Sequence, residues 1–121
     1  MKNYYFCRTC GNLVSEDEKK TECCERRMTQ ITEGEDERVK SKHIPTVTVD
    51  QNTVNVSVGS PSHPMDRDHL IEWVYLKTDR GRYIKYLDVE KDPIARFPIS
   101  DERPLEVSAY CNKHGLWRTV L

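Results

Sequence analysis

Apolar and polar residues alternate with a period of two along much of the chain after Pro45. Val54, Val56 and Val58 alternate with Thr53, Asn55 and Ser57, the pattern of a strand with one buried face. Val47 and Val49 carry the same period upstream. Asp50-Gln51-Asn52 between the two runs is turn chemistry, so a hairpin is predicted. Leu70–Lys77 (LIEWVYLK) is rich in aromatic and β-branched residues, and Thr78-Asp79-Arg80-Gly81 then turns the chain into Tyr83–Leu87, a second hairpin. Pro93, Pro98 and Pro104 confine any strand among them to an edge or a short length. Leu105–Tyr110 and Leu116–Leu121 close the chain as two short strands around Cys111-Asn112-Lys113-His114-Gly115. No window holds a period of about 3.6 residues over three turns, so helix should be scarce. Six or seven short strands predict a mainly β fold, an antiparallel β-sandwich.

The pattern changes near residue 33. Glu33-Gly34-Glu35-Asp36-Glu37-Arg38 has no large apolar side chain and reads as a solvated linker. It divides the sequence into residues 1–35 and 36–121. The first part is too short to fold by apolar burial alone, since domains below about 40 residues usually need a metal or disulfides.

Composition sharpens this division. The 121 residues are 36% hydrophobic and 32% charged, which leaves a thin core. Lys and Arg number 19 against 20 Asp and Glu, a formal charge of -1. That balance argues against a general nucleic-acid binder, which needs a basic excess to displace counterions. No apolar run reaches the length of a membrane span, and the first ten residues carry no signal-peptide core, so a cytoplasmic protein that does not enter membranes is expected. In a reducing compartment, grouped cysteines point to metal or redox chemistry rather than to structural disulfides.

The five Cys and four His separate completely across the linker. Cys7-Arg8-Thr9-Cys10 is a CxxC knuckle followed by Gly11, and Cys23-Cys24 is an adjacent pair. Thiolates at i and i+3 on a tight turn can face one ion, with Gly11 letting the backbone curl beneath it. Four thiolates fit zinc, which would make a structural knob, or a single iron, which would make an electron carrier. The plainer alternatives are a disulfide or free buried thiols. Adjacent cysteines do not bond comfortably, however, and so small a segment has no core in which to bury thiols.

His43, His63, His69, Cys111 and His114 all fall on predicted loops or strand ends. Cys111 and His114 form a CxxH pair. Four imidazoles and one thiolate are one ligand too many for tetrahedral zinc. Around a six-coordinate metal they leave one position open, which points to iron with a vacant site for a small ligand.

The segments KHIP (Lys42–Pro45), SHPM with DHLIEW (Ser62–Trp73) and YCNKHGLW (Tyr110–Trp117) resemble the superoxide reductase family, the desulfoferrodoxins and neelaredoxins. The CxxCG and CC pairs resemble the desulforedoxin-type domain of its two-iron members. The resemblance implies a rubredoxin-like iron at Cys7, Cys10, Cys23 and Cys24. It also implies an immunoglobulin-like β-sandwich holding a second iron, with His43, His63, His69 and His114 equatorial, Cys111 axial and the sixth position open. The implied reaction is one-electron reduction of superoxide to hydrogen peroxide, with a rubredoxin-like donor restoring the ferrous state. Lys42 matches the family lysine whose charge attracts the anion and helps deliver protons. Two-domain members are homodimers.

Three positions depart from the family pattern. Ser41 stands where a glutamate able to cap the oxidised iron is usual, and Glu37 could replace it only if the linker folds over. The Cys10–Cys23 loop is shorter than in desulforedoxin-like domains and has no glycine after Gly11, and Glu25 stands where glycine usually follows the Cys pair. Two other functions remain open on the residues alone: a non-catalytic electron-transfer module, or a zinc-ribbon-like binding protein.

Overall fold

The computed structural model describes residues 2–59 and 63–121. Ser62 of the SHPM segment lies outside the described residues. Among the described residues, twelve strands and two short 3-10 turns make up the regular structure.

The predicted sandwich is present from Pro45 onward. One sheet has the order β10-β7-β6, from β6 (Pro45–Asp50), β7 (Thr53–Val58) and β10 (Ile94–Pro98). The other has the order β12-β11-β8-β9, from β8 (Ile71–Thr78), β9 (Arg82–Tyr86), β11 (Pro104–Cys111) and β12 (Gly115–Val120). Every pairing within them is antiparallel. The two predicted hairpins close as read, with Asp50 opposite Thr53 and Lys77 opposite Arg82. Proline-bounded β10 lies at a sheet edge, where its missing donors cost nothing. Val54, Val56 and Val58 face Val74, Leu76, Val107 and Ala109 in the core between the sheets.

The amino-terminal part has more sheet structure than its composition announces. Strands β1 (Asn3–Phe6), β2 (Leu13–Ser15) and β5 (Thr29–Thr32) form a sheet of order β2-β1-β5, and β3 (Glu22–Cys23) pairs with β4 (Arg26–Arg27). Its inner face does not stand alone. Tyr4, Phe6 and Ile31 pack on Trp73, Tyr75 and Leu116 of the four-stranded sheet, forming a second core. Strand β8 is therefore covered on both sides: Val74 and Leu76 face the sandwich interior, while Trp73 and Tyr75 face the amino-terminal sheet.

The segment 33–38 departs from the expected solvated linker only at its start, at Glu33 and Gly34; Glu35, Glu37 and Arg38 are exposed. Glu33 bridges to Leu116 in parallel, Gly34 N–H donates to the Leu116 carbonyl at 2.8 Å, and Glu33 pairs with Arg118 at 3.5 Å. A Cβ at Gly34 would fall well inside contact distance of the Trp117 indole, so only glycine admits this approach. Glu33 and Gly34 thus serve an ion pair and a backbone bond to β12, while Asp36 pairs with Arg38 inside the segment.

Candidate metal centres

The four cysteines of the first part converge. Cys7 and Cys10 flank a turn in which Gly11 N–H donates to the Cys7 carbonyl at 2.8 Å, and Gly11 adopts φ +79. A Cβ there would lie 2.8 Å from Ile84 Cγ2, so the knuckle also rests on β9. Cys24 and Glu25 both have positive φ, 53 and 63, and form the two-residue turn between paired Cys23 and Arg26. That is the type I′ arrangement, which brings Cys24 back beside Cys23. The Sγ atoms of Cys10 and Cys23 lie 3.7 Å apart, and those of Cys23 and Cys24 lie 3.9 Å apart. Such distances are far too long for disulfides. They match the edge of a tetrahedron with metal–sulfur bonds of about 2.3 Å, which is about 3.8 Å.

The thiols are electrostatically unequal. The Cys10 backbone N–H donates to Cys7 Sγ at 3.4 Å and draws the Cys7 thiol down to about 6. Cys24 is pushed up to about 12, because its neighbouring thiols crowd a second negative charge. The Cys7 thiolate forms readily, while Cys23 and Cys24 resist ionising unless a cation shares the cage. Cys7 is buried, whereas Cys10 and Cys24 are exposed.

The second cluster is assembled from four loops and strand ends of the sandwich. His43 ends the 3-10 turn Lys40–Lys42 just before β6, His63 and His69 lie between β7 and β8, Cys111 is the last residue of β11, and His114 is in the β11–β12 hairpin. A β-bulge where β8 meets β11 places Ile71 opposite Cys111 and skips Glu72, which draws the 63–70 loop toward the thiol. Ligating atoms of His43, His63, His69 and Cys111 lie within 4.8 Å of one another. His114 completes the ring with Nδ1 3.7 Å from Cys111 Sγ and its imidazole 4.8 Å from that of His43.

The protonation pattern suits this cluster to a cation. His43 Nδ1 donates to the Val39 carbonyl at 2.7 Å, and His63 Nδ1 donates to the Pro64 carbonyl at 2.6 Å. Both Nε2 atoms therefore carry lone pairs, yet they face one another at 3.0 Å. Burial lowers the proton affinity of both imidazoles, His63 to about 4, so a proton does not bridge them near neutrality. His69 Nε2 is buried with no hydrogen-bond partner among the described residues. Burial pushes the Cys111 thiol up, so a metal must supply the charge that stabilises its thiolate. For nitrogens about 2.1 Å from a shared ion, a 3.0 Å separation corresponds to a right angle; a tetrahedral edge would be about 3.4 Å.

Residues without a role in the sequence reading hold these ligands. Asn112 accepts from Leu70 N–H and donates to the Asp68 carbonyl, both at 3.0 Å, and so clamps the His63–His69 loop to the Cys111 hairpin. Trp117 stacks on His43 at 5.3 Å and donates from Nε1 to the His114 carbonyl at 3.0 Å. An Asn between two ligands on a tight turn was the available signal for the first, because its short amide bonds readily to nearby backbone. Nothing local marked Trp117.

Lys42 is exposed, adjacent to His43, and makes no ion pair among the described residues. Its charge contributes to the lowered proton affinity of His43. Ser41 is exposed on the same turn. The linker does fold over: Asp36 lines a cleft with His114 and Lys113, while Glu37 lines a separate groove beside Trp117 and Lys40.

Residues 35–120 match the desulfoferrodoxin family model. The chain belongs to the desulfoferrodoxin family. It is 35% identical over 116 residues to a desulfoferrodoxin of Syntrophotalea carbinolica, spanning 93% of this chain and 91% of that one. With a desulfoferrodoxin of Nitratidesulfovibrio vulgaris it shares 36% identity over 117 residues, 94% of this chain and 92% of the other. Among solved structures, the superoxide reductase of Treponema pallidum superposes with a TM-score of 0.78 at 32% identity, covering 98% of both chains. A superoxide reductase of Giardia intestinalis, described as 1Fe-SOR, covers 68% of this chain and 98% of its own, with a TM-score of 0.57 and 26% identity. The family and the fold thus agree with the resemblance drawn from the residues.

Proposed function

We propose that this desulfoferrodoxin is a superoxide reductase, reducing superoxide to hydrogen peroxide without evolving oxygen. The observation that carries the reading is the cluster of His43, His63, His69, His114 and Cys111, with two imidazole lone pairs facing at 3.0 Å. That separation favours a square-based over a tetrahedral ion, and with it iron over zinc at this site. An iron held by these five residues would supply the one-electron chemistry, with Cys111 as its thiolate donor.

The chain's own residues do the rest. Carbonyls of Val39 and Pro64 fix the tautomers of His43 and His63. Asn112 and Trp117 hold the loops that carry the ligands. Lys42, next to His43 in the chain, is exposed and has no ion-pair partner among the described residues; there it attracts a small anion and orders water for proton delivery. Ser41 offers no carboxylate, so the oxidised site is left to water, hydroxide or an added anion.

The first site is read as a second mononuclear iron, with zinc as the alternative metal in the same thiolate cage. Residues 1–35 are its domain and 36–121 the catalytic domain, a division supported by the family match starting at residue 35. A rubredoxin-like donor and a homodimer follow from the resemblance. Cytoplasmic residence agrees with four cysteines that must stay reduced. No helix among the described residues is long and apolar enough to cross a membrane.

Elemental analysis with visible spectra before and after reduction tests the metals, and two irons per chain are expected. Product stoichiometry tests the reaction. Peroxide without oxygen supports reduction, equal yields of both would mean dismutation, and a colourless zinc protein would remove the first-site assignment.

A further inference from the structure

Three aromatic rings join the two metal centres. Cys7 is the buried ligand of the first site, and its chain neighbour Phe6 points into the second core. Phe6 stacks on Trp73 with centroids 4.6 Å apart and planes within 14°. Trp73 in turn stacks on its cross-strand partner Tyr110 at 5.5 Å and 18°. Tyr110 is bonded to Cys111, the fully buried thiol of the second site. From one ligand to the other, the path is covalent except for two ring-to-ring gaps.

We propose that Phe6, Trp73 and Tyr110 form an internal electron relay from the four-cysteine site to the histidine-cysteine site of the same chain. The inference rests on both sites holding iron, as proposed above. The relay passes one electron from a ferrous ion in the cysteine cage to a ferric ion in the other; no bond breaks and no proton moves. The rings act as a conducting bridge and are not themselves oxidised. Polarity of the route is built into burial: Cys10 and Cys24 are exposed, where an external one-electron donor protein reaches the cage, while Cys7 is buried against Val14 and Met28 and bonded to Phe6, the first ring of the stack.

Packing alone does not account for this arrangement. Tyr4 and Tyr75 fill the same core and belong to no ring stack among the described residues. Aromatic pairs in cores adopt edge-to-face contacts as readily as stacked ones. Here both contacts between rings are near-parallel, and both ends of the series are bonded to metal ligands.

The test uses the full-length, iron-loaded protein with both sites ferric. A substoichiometric pulse of electrons from a photoexcited flavin is followed at the absorption bands of each site. Wild type should show a first-order phase, independent of protein concentration, in which the cysteine site reoxidises as the other is reduced. Phe6→Leu and Trp73→Leu should slow that phase severalfold, while Trp73→Phe retains most of it. Tyr75→Leu, a comparable loss of packing off the path, should leave it at the wild-type rate. If Trp73→Leu does not fold, Phe6→Leu decides. An unchanged rate in folded Phe6→Leu, or a rate proportional to protein concentration, overturns the relay. A wild-type protein showing only one iron spectrum overturns the two-iron reading and the relay together.

Discussion

Trp117 lies between Gly34 and His43, with its indole against the glycine on one side and stacked on the imidazole at 5.3 Å on the other. The backbone of the interdomain segment therefore bears on a metal ligand through a single ring. Gly34→Ala forces a methyl group into that ring, and overpacking of this kind costs about 1–3 kcal/mol. We expect a lower melting temperature together with a changed visible spectrum of the histidine-cysteine site. A spectrum identical to wild type would show that the ring does not position His43.

The facing imidazoles set a pH dependence for the metal-free chain. An unfolded histidine binds its proton with the ordinary value of 6.5, whereas His63 in the fold is lowered to about 4, and His43 and His69 are lowered too, all chiefly by burial. Between those values the unfolded chain binds more protons, so stability rises with pH across the window and is lost as pH falls through it. Denaturant midpoints of chelator-treated protein should therefore climb between about pH 4 and 6.5, and less steeply in His63→Gln. Equal midpoints across this range would contradict the buried neutral state.

Glu25 adopts φ 63 in the turn that returns Cys24 to Cys23, a conformation that favours glycine. Glu25→Gly relieves that strain, and we expect a gain of about 0.5–1 kcal/mol. Thermal unfolding of the metal-loaded protein measures it. A loss of stability would mean that the glutamate makes a compensating contact.

Lys42 is argued to act by charge and not by structure. Lys42→Ala should slow the second-order reaction with superoxide severalfold and flatten its ionic-strength dependence, with the iron spectrum intact. Stopped-flow or pulse-radiolysis rates at two salt concentrations check this. An unaltered rate removes Lys42 from the mechanism.

The ligands were legible in the sequence because ligation needs particular residue types. Four cysteines fell on one side of residue 35, and Cys111 with every histidine on the other. The strands after Pro45 were legible because one-sided burial imposes a period of two. Trp73 and Tyr75 already hinted at more, since β8 is apolar on both faces, but the cover for its second face comes from Tyr4 and Phe6 some seventy residues earlier. The same distance concealed the fate of segment 33–38. Glu33 looked solvated until Arg118 was placed beside it, and Gly34 looked like a spacer until Trp117 closed on it. Local pattern does not report partners supplied by the far end of the chain.

Strand β8, shared by both cores, links the two candidate metal sites thermodynamically. Separating the amino-terminal sheet from the sandwich would expose the stacked faces of Phe6 and Trp73 to water, so neither part opens without cost to the other. An ion that binds only the folded cysteine cage stabilises everything that melts with the cage. Occupancy of the first site therefore sets how firmly the second site's scaffold is held, whichever metal the cage contains.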